Sequence, residues 1–395
     1  MFYILILIAL CFLSYLELKG KTFRFLSFNY LFVFLLLVAS HRYGQGGDYF
    51  AYGYIYYRVP PLAQFSTIKA LDIHGEQGFL LLCSIFRTLH LSYEIFIMFL
   101  AVVTMGLIYR FIKRYSKMPI ASLTVFYVLY YLIYVFNGLR QGLALAIFLG
   151  IGLTLFKEKK YLKFILVTLF GATMHISILI TLILIPIEKL KISYKVYAAM
   201  IIGAIVLMLL NVDMMVINLL PTFLQQKILT YWGLLDIPIL AFGNRFVFLA
   251  LILYFASKVE EDENTKFLKK IYIIGFILYI LTMKSSLMSA RLSVYMKALE
   301  VILIPNIIFL LRQANFKWKT LQLWGITMVL MFGLLYKNLA GFLEEGDYYG
   351  DITVTQYPYM TVLDLNTSRI WKYRERPYFL YKLKGVTSKA MGEMP

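Results

Sequence analysis

A chain of 395 residues of which 61% are hydrophobic and only 15% charged, with a mean hydropathy of +0.75, lies outside the composition of soluble globular domains. Its formal net charge of +18 raises nucleic acid as a partner, but in a membrane protein the cytoplasmic bias of basic residues explains it more simply. Cys11 and Cys83 both sit in apolar runs without metal-ligand spacing, and no disulfide is expected between them.

Runs such as residues 2–16 and 121–136 point to an all-α, polytopic membrane protein, and no stretch shows the alternation of a transmembrane barrel. The first run has neither a basic flank nor a small-residue cleavage site and is expected to be a retained helix. Short basic segments recur at 17–24, 110–117, 157–163, 188–195, 257–270 and 312–319, and they hold more than half of the 39 Lys and Arg. If all six are cytoplasmic, the threading gives about twelve transmembrane helices with both termini on the outer face. Between residues 24 and 110 there is one apolar run too many. Residues 78–89 are too short to span, so a re-entrant or interfacial helix is expected near 78–90. The run 164–187, interrupted at GATMHIS, is expected to form two short helices joined by a turn. Residues 1–336 then make a transmembrane catalytic domain with large outer loops at 41–92 and 211–244 and an outer-face cavity, and 337–395 an outer tail.

Every unusual polar feature falls on the outer side of this threading. Arg42, Arg140, Arg245 and Arg291 sit at or just inside outer helix ends, against the basic bias. An arginine in a membrane helix costs roughly 2.5–3.5 kcal/mol on insertion scales, so it faces a bundle interior or an aqueous cavity. Any one of them is explained equally well by snorkelling or by a structural pair with Asp48, Glu76 or Glu300. Four on one face favour a shared anionic ligand, because a guanidinium fork holds phosphate oxygens in pairs and stays charged when desolvated. A lipid phosphate or diphosphate is the natural anion at that surface.

The neighbouring residues extend this picture. Gly138 and Gly142 form a GxxxG pair, which reads as close helix packing, with Arg140 and Gln141 between them. His175, at the expected turn, reads as a structural hydrogen-bonding group, or as a base or phosphate donor on the functional face. Tyr49 and Tyr52 belong either to an interfacial aromatic belt or to a platform for sugar rings. Asp48 and Glu76 are candidate bases, or partners for Arg42 or Arg58. The glycines before Asp48 allow the tight turn that would point it back toward a cavity. Metal-hydrolase, P-loop, serine-hydrolase and dinucleotide motifs are all missing, so the sequence supports no metal and no cofactor.

The order of these motifs resembles a known family. Arg42, Gly44, Asp48, Tyr49 and Tyr52 follow an R-x-G-x-x-x-D-Y-x-x-Y pattern, then come E-x-G-F at Glu76, L-R-Q-x-L-A at Leu139, H-x-S at His175, R-L-x-x-Y at Arg291, and a tail containing QYPY. The set resembles the EpsG family of exopolysaccharide and O-antigen polymerases, often called Wzy, with GQGGD standing where the family usually has G-T-D. The resemblance implies a metal-independent glycosyltransferase in the bacterial inner membrane, serving lipopolysaccharide or exopolysaccharide biosynthesis at the periplasmic face. It would move a growing glycan from undecaprenyl diphosphate onto a repeat unit carried by a second undecaprenyl diphosphate, among membrane lipids and with a chain-length regulator as a possible partner. Arg140, Arg291, Arg245 and Arg42 would then hold diphosphates, Asp48, Glu76 or His175 would act as the base, and Tyr49, Tyr52 and Gln141 would contact sugar. The alternatives are an O-antigen ligase, a transferase using a polyprenyl-phosphate sugar, or a flippase for lipid-linked oligosaccharide.

Overall fold

A computed structural model of the chain describes residues 1–20, 24–188, 194–210, 239–346 and 353–363, with the single residues 218, 222 and 225. Among these residues regular structure is helical, and the one strand-like pairing is a bridge between Arg42 and Thr361. Most of the loop expected at 211–244 lies outside the described residues, as do 347–352 and 364–395 of the tail. Cys11 and Cys83 are free and buried.

Among the described residues five helices are long and apolar enough to cross a membrane. They are Phe2–Lys19 (α1), Tyr93–Tyr115 (α5), Pro119–Asn137 (α6), Leu139–Lys157 (α7) and Lys317–Leu343. A sixth forms if Leu287–Lys297 and Glu300–Gln313, bent by 43° at their junction, count as one span. Shorter apolar helices accompany them, including Ser27–Ser40 (α2), Tyr161–Ala172 and Lys195–Leu209. The chain is therefore a polytopic helical membrane protein. Length and composition give five or six crossings among the described residues, fewer than the about twelve expected from the charge pattern.

Burial identifies the centre of the bundle. In their most apolar stretches α6 is 89% and α7 83% buried, against 33% for Lys317–Leu343. Pro119 stands at the start of α6, where its missing N–H is one the helix would leave unpaired anyway. The next two N–H groups, of Ile120 and Ala121, donate to the Glu17 carboxylate at 3.3 and 3.0 Å. Glu17 is wholly buried at the end of α1, so the acid in the first basic segment caps a helix start and meets its partial positive charge.

From Tyr127 to Asn137 α6 widens into a π-helix, and α7 does so over Phe148–Gly152. Such stretches recur at functional sites because they shift side chains off the α-helical register. The corner between the two helices is tight. A Cβ on Gly142 would lie 1.7 Å from the Tyr134 carbonyl oxygen, so the close backbone approach that GxxxG promised occurs here. This corner fixes the first turn of α7, which carries Arg140 and Gln141.

The other elements frame that turn. The helix expected near 78–90 is Gln77–Thr88 (α4), 12 residues long, and it follows Tyr49–Arg58 (α3). Tyr161–Ala172 packs against a 3-10 segment, Ile176–Ile183, across a turn holding His175. The last helix runs to Gly346, so the tail after residue 337 begins with its final turns. Residues 353–363 then fold back over the 41–49 loop. Tyr43 N–H donates to the Met360 carbonyl and Val362 N–H to that of His41, both at 2.9 Å.

Candidate active site

Five segments distant in sequence meet around one cavity of about 270 Å3, lined by Asp48, Tyr52, His74, Arg140, Gln141, His175 and Arg291. The glycine loop delivers the first of these. Gly44 and Gly46 have φ of 61° and 91°, in the left-handed region open to glycine, and a Cβ on Gly46 would lie 2.2 Å from Asn137 Oδ1. That same oxygen accepts the Asp48 N–H at 3.5 Å, so the end of α6 holds the loop that sets Asp48 at the start of α3. Tyr52 follows one turn later. Arg140 and Gln141 come from the first turn of α7, and Arg291 from the helix Ser286–Lys297.

Two polar constructions border the cavity. In the first, Arg140 Nη1 donates to Glu76 Oε2 at 2.6 Å, with side chains 13% and 19% exposed. Glu76 Oε1 also accepts the Ile176 N–H at 3.3 Å, and the guanidinium lies 6.0 Å from the centre of the Tyr52 ring. Arg140 Nε is buried without a hydrogen-bond partner. A residue that lines the cavity thus keeps one buried donor unused.

The second is a chain of hydroxyl, amide and imidazole groups. Gln141 Nε2 donates to the Arg291 carbonyl at 2.8 Å and reaches Ser177 Oγ at 3.4 Å. Ser177 Oγ lies 2.8 Å from the Tyr295 hydroxyl and 2.6 Å from His175 Nδ1, which also takes the Ser177 N–H at 3.4 Å. Burial depresses the His175 imidazole to about 4, the Glu76 carboxylate opposing that shift while Arg140 and Arg291 add to it. The ring is therefore neutral at physiological pH. With Nδ1 accepting, its proton sits on Nε2, which makes the ring a hydrogen-bond donor there.

Of the ten residues expected from the sequence, Asp48, Tyr52, Arg140, Gln141, His175 and Arg291 line the cavity, and Glu76 stands behind Arg140. The other three lie elsewhere. Arg42 is 1% exposed, its Nη1 donating to the Ala39 carbonyl at 2.5 Å and its guanidinium 4.7 Å from the centre of the Phe136 ring. Tyr49 is enclosed by Tyr43, Phe50 and Tyr93, with its carbonyl accepting the Tyr93 hydroxyl at 2.7 Å. Arg245 donates to Glu300 at 2.6 Å, and that fully buried carboxylate also accepts the hydroxyls of Tyr130 at 2.6 Å and Tyr272 at 3.3 Å.

Sequence reasoning missed His74, Ser177 and Tyr295. Ser177 and Tyr295 are the closing residues of the motifs H-x-S and R-L-x-x-Y, so their signal was the motif itself. Among the described residues no three His, Cys, Asp or Glu side chains group as metal ligands would.

No curated protein and no solved structure matches the chain. The model of the EpsG family matches residues 25–346, a span that contains Asp48, Glu76, Arg140, His175 and Arg291. The chain that assembles these five segments around one cavity thus belongs to the EpsG family.

Proposed function

We propose that this protein is a polysaccharide polymerase, a metal-independent glycosyltransferase of the bacterial inner membrane with its cavity open to the periplasm. Its donor is a growing glycan on undecaprenyl diphosphate, and its acceptor is a repeat unit on a second undecaprenyl diphosphate. The observation that carries this reading is the convergence of Arg140, Arg291 and Asp48 on one cavity in an EpsG-family chain.

In the reaction the acceptor hydroxyl attacks the anomeric carbon while the bond from that carbon to the diphosphate oxygen breaks. The bonding electrons leave with the lipid diphosphate, and the hydroxyl proton passes to a base. Arg140 and Arg291 stabilise the charge that grows on the leaving diphosphate, which is where fixed cations contribute most to rate. Asp48 takes the proton, since Glu76 is held by Arg140 and the Ile176 N–H, and His175 presents a donor. His175 and Gln141 bond to diphosphate or sugar oxygens, and Tyr52 offers a ring face to the sugar. Arg245 and Arg42, placed in the packed interior, hold the surrounding helices and the Asp48 loop. Their part in diphosphate binding passes to Arg140 and Arg291. A chain-length regulator is the expected partner at the outer surface.

The test is purified protein in liposomes with a repeat unit on undecaprenyl diphosphate, scored for a ladder of products. The ladder is expected from wild type and absent with Asp48→Asn. A full ladder from Arg140→Ala would remove the core of the proposal.

A further inference from the structure

On the far side of the Glu76–Arg140 pair lies a second concavity of about 480 Å3 whose walls carry almost no polar surface. It runs between α4 and the helix Tyr161–Ala172 and is lined by Phe65, Leu81, Leu82, Ile85, Phe170 and Met174. Leu81, Ile85 and Phe170 are 40%, 37% and 58% exposed, so the groove is open along an apolar rim.

The wall between this groove and the cationic cavity is thin and specifically built. A Cβ on Gly78 would lie 2.2 Å from Thr173 Oγ1, and the Phe79 N–H donates to the Thr173 carbonyl at 3.1 Å. One step along each segment the character reverses. Gln77 and Met174 line the groove, while Glu76 grips Arg140 and His175 lines the cavity. An apolar channel and a cationic pocket thus flank the contact between these two segments.

The geometry points to this groove as the seat of the isoprenoid chain of the donor lipid, with its diphosphate across the wall at Arg140. The inference rests on the polymerase reading, which supplies an amphiphile whose diphosphate head is carried by one long chain. Lipid tails are as apolar as leucine, so the groove gains little from apolarity alone. What it adds is shape and direction. A single groove takes one chain, whereas a glycerophospholipid brings two, and a chain fixed there orients the anomeric bond relative to Asp48. The first isoprene units fill the groove, and the remainder lies among bilayer lipids.

The experiment is photolabelling in nanodiscs of phosphatidylethanolamine and phosphatidylglycerol, using a polyprenyl diphosphate with a benzophenone near its head. Label mapped by mass spectrometry is expected on residues 77–85 and 170–174. Undecaprenyl diphosphate should compete for it about tenfold better than added phosphatidylglycerol. Leu81→Trp with Ile85→Trp should lower labelling about tenfold while elution volume and melting temperature stay as in wild type. Label spread over the lipid-facing helices, or equal competition by phosphatidylglycerol, would overturn the inference without needing the variant to fold. Wild-type protein that labels in the groove but makes no ladder overturns the polymerase reading alone. A ladder without groove label overturns the groove alone.

Discussion

Arg140 and Arg245 each meet a glutamate at 2.6 Å, yet the two pairs are built for different ends. Glu300 is wholly buried and takes three donors, from Arg245, Tyr130 and Tyr272, beside a helix junction bent by 43°. Its charge is fully answered by protein. Glu76 is partly exposed, and the arginine it holds keeps a buried Nε without a partner at the edge of a cavity that Arg291 also lines. Equal distances therefore do not mean equal roles. A pair closed by tyrosines holds helices together, and in the proposed function a pair with a donor left over at a cavity keeps its carboxylate and holds a substrate anion as well.

The largest effect that would sharpen this contrast is on stability. Glu300→Ala leaves Arg245 buried without its partner, which is expected to cost about 3–5 kcal/mol. A denaturation curve in detergent would record it. Arg245→Met with Glu300→Met, which removes both charges and keeps apolar volume, should recover most of that loss. If Glu300→Ala instead left stability intact and abolished polymer, the interior pair would be part of the chemistry and the contrast would fail.

Next comes Arg140. Arg140→Lys keeps a charge near Glu76 and loses the fork, so turnover should fall by about 10²–10³-fold, as when one fixed transition-state donor is removed. Its melting temperature should move far less than that of Glu300→Ala. The readout is initial rate of ladder formation beside thermal unfolding of the same preparation.

Gly142→Ala probes the scaffold under that turn. Its Cβ would meet the Tyr134 carbonyl at 1.7 Å, so α6 and α7 must part, at about 1–3 kcal/mol, with Arg140 and Gln141 displaced. Gly325, in the last helix, has nothing within 4 Å of its Cβ, and Gly325→Ala should be neutral or slightly stabilising. The same substitution thus reports on the centre of the bundle and on its edge.

Much of this arrangement was legible in the sequence, in particular places. The broken run at GATMHIS became a helical hairpin with His175 at its turn, and the glycines before Asp48 adopted the left-handed conformations that the turn required. The glycine pair around Arg140 marked a backbone contact. Hydropathy and spacing report such features because they are local. They do not report which polar side chain another segment covers. Arg42 and Tyr49 look like cavity residues from the loop alone. The first lies under a bridge to Thr361, and the second is packed by Tyr93. Arg245 finds Glu300 across 55 positions of sequence, and the tyrosines that complete the network come from two further helices. Long-range pairing of this kind leaves no periodic trace.

The narrowest contrast concerns His175, where pH separates a neutral donor from a titrating base. Its imidazole is held at about 4 by burial, below the ordinary value near 6.5 that it regains on unfolding. The unfolded chain therefore binds the proton first as pH falls. The stability this residue contributes is complete above about pH 6.5 and declines toward pH 4, by at most about 1.4 kcal/mol per pH unit. Melting temperatures at pH 7.5 and 5.0 should differ more in wild type than in His175→Asn. Over pH 6–8 the wild-type rate should show no limb that His175→Asn removes, because the ring stays neutral throughout. A limb near 6.5 that vanished with the histidine would assign it the proton, and Asp48 would then be left to position the acceptor.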